Sequence, residues 1–108
     1  MKYLLIAGAL ALAGCAASPE TIQPTYVNSV PLEAQSCPSL TSERDRITYV
    51  LARASDQQQR ARTDDTVGVL LLGMPLGSMS GENIASQVAV DKGQLDAVNH
   101  AMQHNACG

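Results

Sequence analysis

Residues 39–65, SLTSERDRITYVLARASDQQQRARTDD, carry the pattern that decides the fold. Leu40, Ile47, Leu51, Ala54, Gln58 and Ala61 fall three, four or seven apart, so they line one stripe of a helix. The charged residues between Glu43 and Asp64 fall mainly on the other faces, and the Asp64-Asp65 pair reads as part of a solvated charged surface. Pro38 lies just before the pattern, and Ser42 with Asp45 forms a weak capping box, so the spacing predicts a helix over 41–65. The stripe is narrow and built partly from alanine and glutamine. Such a helix needs a partner alongside it.

The partner lies in the last stretch. Ile84, Val88, Asp91, Leu95, Val98 and Met102 alternate three- and four-residue steps, which predicts a second helix over 81–104. Ser80 is placed to cap it, with Glu82 in the first turn, facing the positive end of the helix. Gly93 sits inside and weakens it by about 1 kcal/mol relative to alanine. At 1.5 Å per residue each helix would be about 36 Å long. Equal lengths suit an antiparallel two-helix hairpin, an all-α fold, over residues 39–108.

The amino-terminal end has a different character. Met1-Lys2 supplies a minimal positive region, and Tyr3 to Leu12 is a nearly unbroken apolar run, too short to span a bilayer. It ends in Leu12-Ala13-Gly14-Cys15, where small residues admit a peptidase and the cysteine offers a nucleophile for lipid transfer. This arrangement resembles the lipobox of bacterial lipoproteins, all four motif positions matching. The resemblance implies a signal peptide over 1–14, cleavage before Cys15, a diacylglycerol on the Cys15 thiol and a further acyl chain on the new amino group. Two or three chains hold a protein far better than a single myristoyl group. Ala16 follows where an aspartate would favour retention at the inner membrane, so the implied address is the outer membrane, on its periplasmic face or exposed at the surface.

Residues 15–38 read as the lipidated start and a Pro-rich linker. Pro19, Pro24, Pro31 and Pro38 recur every five to seven residues, which disfavours helix and suits an extended, disordered tether. Within it, residues 26–30 could instead form a short strand or pack on the hairpin. With Cys15 lipidated and the chain exported to an oxidising compartment, Cys37 and Cys107 remain. The hairpin brings them to one end, so a Cys37–Cys107 disulfide is expected. It would close a loop of about 70 residues, worth roughly 4 kcal/mol in the chain-entropy model. A competing use of that end is a zinc set of Cys37, His100, His104 and Cys107. The histidines lie away from the apolar stripe, so no metal or other cofactor is expected.

The connection 66–80 contains VGVLLLGMPLGSM over residues 67–79, with no charge. Gly73, Gly77 and Gly81 are spaced like a glycine zipper, but Pro75 opposes a continuous helix, and 67–72 extends the first helix at most. Three uses are open. It folds back to supply core, it presents Val69, Leu70, Leu71, Leu72, Met74 and Leu76 to a protein partner or a second copy, or it dips into a membrane interface.

Composition narrows the function. The chain has 108 residues, net charge −3, three tyrosines and no tryptophan or phenylalanine. Removing the first 14 residues leaves about 94, with a net charge of about −4 because Lys2 departs. That balance lacks the basic footprint of a nucleic-acid binder. No nucleophile elbow, phosphate loop or metalloprotease motif is present, so no catalytic residue is assigned. The expectation is a non-enzymatic, acyl-anchored structural or interaction element. Beyond the lipobox, the Cys-bracketed helical segment is loosely similar to small uncharacterised lipoproteins of Gram-negative bacteria and prophages. That likeness adds a phage-derived receptor-masking role as an alternative, and the His/Cys end adds a metal-binding periplasmic module.

Overall fold

The computed structural model describes residues 16–107. Residues 1–14, read above as a signal peptide, and Cys15 lie outside the described residues. Three helices follow two short 3-10 turns, at Pro19–Thr21 and Val30–Ala34: α1 over Cys37–Leu72, α2 over Leu76–Met79 and α3 over Ala85–His104. No strand occurs among the described residues. Helices α1 and α3 pack side by side, and the Ile84 amide donates to Gln58 Oε1 at one end while Cys37 and Cys107 are bonded at the other. The hairpin is therefore antiparallel and disulfide-clamped, with principal extents of 58 × 26 × 19 Å.

The predicted stripes are the packed faces. Along α1, Leu40, Ile47, Ala54, Gln58 and Ala61 are buried, and along α3, Val88, Asp91, Val98 and Met102. The boundaries differ from expectation. The first helix starts at Cys37, because Ser36 Oγ accepts from the Ser39 amide at 3.3 Å and Pro38 fits a first turn that needs no N–H. Ser42 and Asp45 thus lie inside the helix. It also continues past residue 65 to Leu72, where Gly73 ends it in the left-handed region at φ 71°. The second begins at Ala85, not at 81, and Ser80 instead ends α2. The helices are thus unequal, 36 residues against 20.

The core sits at the clamped end. Leu40, Ile47, Val98, Ala101 and Met102 form it, with Leu32, Leu95 and Cys107 packed around them. Ala106 adopts φ 54°, and the Cys107 amide donates to the Met102 carbonyl, a reversal that brings Cys107 back to Cys37.

Residues 16–34 do not hang free. They form a strap along the hairpin, which corrects the expectation of a disordered tether. The Thr25 amide donates to the Ala89 carbonyl at 2.9 Å, and Lys92 Nζ donates to the carbonyls of Ile22 and Pro19. Near the disulfide, Asn105 Nδ2 donates to the carbonyls of Glu33 and Gln35. The prolines keep the strap from coiling. Its backbone groups find partners on α3 instead of in a helix of their own. Gly93 makes this possible: a Cβ there would lie 1.8 Å from the Thr25 carbonyl oxygen. The residue that weakens α3 as a helix is the one that lets the strap lie against it.

Candidate functional site

The length difference between α1 and α3 creates the tip. Because α3 begins opposite Gln58, the last 14 residues of α1 have no long helix beside them. Only α2 and the start of the strap pack there. Gly77 packs so closely that a Cβ would fall 2.5 Å from the Ala61 carbonyl oxygen, and one at Gly68 would meet the Met74 carbonyl at 2.4 Å. Four residues of α2 cannot cover the apolar run. Leu70, Leu71, Leu72 and Met79 are 78, 76, 63 and 65% exposed, with Val67, Met74 and Leu76 also outside. Val69 is half-buried. The tip therefore does not supply core, and the fold-back reading is corrected: continuous helix through 66–72 throws these leucines outward. The zipper spacing is not used either, since Gly68 and Gly77 make the close contacts and Gly73 and Gly81 serve turns.

Behind the tip, two buried polar side chains replace the apolar core. Gln58 is fully buried and engaged at both ends: Nε2 donates to the Ala17 carbonyl at 3.0 Å and to Asn83 Oδ1 at 2.9 Å, and Oε1 accepts from the Ile84 amide at 2.7 Å. Asp65 is fully buried as well. Its Oδ2 accepts from the Ala16 amide at 2.7 Å and from the Ser78 hydroxyl, and its Oδ1 accepts from the Ser78 amide at 2.6 Å. Burial pushes this carboxyl up, but hydrogen bonds from the Ser78 hydroxyl and from the amides of Ser78, Ala16 and Gly77 outweigh it. The group is held below the ordinary carboxylate value. The expectation of a solvated Asp64-Asp65 pair fails at Asp65. The signal that could have found it was spacing, because Ala54, Gln58, Ala61, Asp65 and Gly68 continue the stripe in steps of four and three.

One carboxylate thus ties together the start of the described chain and the base of the tip. Ala16 itself is 4% exposed. Close by, the neighbouring Asp64 carboxyl, then burial, pushes the Glu82 carboxyl above its ordinary value, while the Arg60 charge acts the other way.

The remaining predicted residues separate. Cys37 and Cys107 are bonded to each other, so neither sulfur is a free thiolate for the proposed zinc set. His100 and His104 are exposed, with His104 Nδ1 by Asn105 Oδ1 and Nε2 3.8 Å from Glu33 Oε2. No metal-holding cluster of three or more His, Cys, Asp or Glu side chains occurs among the described residues. An open groove of about 590 Å³ lies between the strap and α3, lined by Tyr26, Val27, Gly93, Asp96 and His100 among others. None of the helices described is long and apolar enough to cross a membrane. Comparison with protein-family models, with curated proteins and with solved structures finds no match to this chain.

Proposed function

We propose that the protein is a small acyl-anchored lipoprotein of the outer membrane, acting as a non-enzymatic structural or interaction element. The observation that carries this reading is Leu12-Ala13-Gly14-Cys15 placed directly behind a short apolar run. A disulfide fits an exported chain. The polar groups buried behind the tip, Gln58 and Asp65, are spent on backbone and side-chain partners within the fold, which supports a structural role for them rather than a catalytic one.

The test is metabolic labelling with a fatty acid in a Gram-negative host. The wild-type chain takes up label and fractionates with the outer membrane, and Cys15→Ser takes up none. An inhibitor of lipoprotein signal peptidase causes the uncleaved form to accumulate. Equal labelling of wild type and Cys15→Ser, or none in either, overturns the reading.

A further inference from the structure

We infer that the apolar tip is the surface by which this protein docks on the lipid leaflet that holds its own acyl chains. The inference rests on the reading of Cys15 as the acylated residue and adds what that reading lacked: an orientation, and an occupant for the exposed leucines.

Where the remaining chain attaches decides the orientation. A tether of about twenty extended residues would have put some 70 Å between anchor and hairpin, leaving the tip free to face any direction. The strap removes that freedom. Ala16 is buried, its amide held by Asp65 Oδ2 at 2.7 Å, and the Ala17 carbonyl is held by Gln58 Nε2. Cys15 is joined directly to Ala16 by one peptide bond. The acyl chains therefore leave the protein at the level of Asp65. They do so beside the residue that holds Ser78, between Leu76 and Met79.

From that level the apolar surface extends outward. Leu70, Leu71 and Leu72 follow Asp65 by five to seven residues on the same helix, a further distance of about 10 Å at most. No residue from 66 to 81 carries a charge, and Asp65 and Glu82 bound the stretch. A projection of about 10 Å matches the depth to which interfacial apolar faces enter the headgroup and acyl boundary, about 5–10 Å. The opposite end of α1 lies about 40 Å away and carries Glu43, Arg44, Asp45 and Arg46, suited to water. With the acyl chains fixed at its base, the tip meets lipid before it can meet a protein. Arg60 and Arg62 at the base of the tip are matched by Asp64 and Glu82, and the mature net charge is about −4, so no net basic patch attracts anionic headgroups; docking follows apolar contact and is insensitive to salt.

The experiment uses the processed, acylated chain in vesicles of phosphatidylethanolamine and phosphatidylglycerol. An environment-sensitive fluorophore is introduced at Leu71 or, as the reference, at exposed Ser42, and some vesicles contain lipids with a doxyl quencher high on the acyl chain. Expected are a blue-shifted emission at Leu71, severalfold stronger doxyl quenching there than at Ser42, and no change between low and high salt. Circular dichroism of each labelled protein verifies that the hairpin is intact, and Leu72 serves as a second labelling position. Emission at Leu71 as water-exposed as at Ser42 overturns the inference while fatty-acid labelling of Cys15 leaves the lipoprotein reading standing. So does a blue shift without doxyl quenching, which would signal burial against protein or a second copy. Absence of fatty acid on Cys15 overturns both.

Discussion

At the clamped end of the hairpin, Leu40 and Ile47 meet Val98 and Met102 in a small apolar core, with a disulfide across the helix ends. At the tip end, the same seam of α1 offers Ala61, Asp65 and Gly68, and what holds the chain is one carboxylate, one amide and the close approach of backbones. Taken every seventh residue, the seam runs Leu40, Ile47, Ala54, Ala61, Gly68. Side-chain size falls steadily towards the tip. Large side chains keep helices apart and gain stability by leaving water, whereas small ones let main chains touch and leave polar groups to do the joining. The difference teaches that leucines need not be where adhesion is: Leu70, Leu71 and Leu72, a run of three, lie on an exposed face of α1.

The contrast can be broken most severely at the clamp. Replacing Cys37 and Cys107 by serine frees a loop closed over 70 residues and should cost about 4 kcal/mol, read from urea unfolding with and without reductant. A change under about 1 kcal/mol would mean that strap and core hold that end without it. Leu40→Ala comes next. It removes the first large residue of the core and should cost about 3 kcal/mol, with the loss of protection in hydrogen exchange centred on the clamped end.

At the other end, Asp65→Ala leaves the Ala16 and Ser78 amides without their acceptor and should cost about 2 kcal/mol, opening the strap and α2 first. The same carboxylate sets an acid limit. Its folded-state pKa lies below the unfolded one, so its contribution is complete above the ordinary aspartate value and is lost as pH falls through the lowered value. Glu82 has the opposite sign, since its pKa is raised beside Asp64: any stability linked to it is present at low pH and lost as pH rises. On acidification the Ser78 amide should therefore lose protection before Val98 does, and Asp65→Asn should flatten that difference. Simultaneous loss at both positions would show that the ends are not independent.

The smallest effect tests the strap. Gly93→Ala gains about 1 kcal/mol in α3 but forces the Thr25 carbonyl away, so global stability should change by only about 1 kcal/mol while residues 19–27 become sensitive to protease. A strap as resistant as before would show that it can shift without leaving.

Much of the hairpin was legible because two stripes of helical period and two flanking cysteines all point to the same pairing. Leu40, Ile47, Val98 and Met102 could be named as packed residues from spacing alone. The helix limits were less legible. A cap at Ser36 looks much like one at Ser42 in sequence, and only the contact with Ser39 separates them. The strap was legible only as the alternative that residues 26–30 pack on the hairpin: its partners lie 41 to 73 residues away, and prolines that forbid helix say nothing about where an extended chain comes to rest. Asp65 was misread because a carboxylate is ordinarily solvated, and its place on the stripe carried less weight than its chemistry. Gly93 was seen as a defect, since the Thr25 carbonyl that requires it comes from a segment distant in the chain.

The strap also has a consequence in time. Its acceptors and donors are met by groups that the chain delivers late: Asp65 is 49 residues after Ala16, and Lys92 is 73 after Pro19. Contacts of such separation form after local helices, because a long loop must close first. In a chain that emerges amino terminus first, Ala16 and Ala17 wait for Asp65 and Gln58 of α1, and the rest of the strap waits until α3 has emerged. On the reading of Cys15 as a processed residue, that waiting period is when enzymes have free access beside it, for afterwards the fold closes one residue away. On that reading the architecture imposes an order of assembly, in which covalent modification comes first and folding seals it.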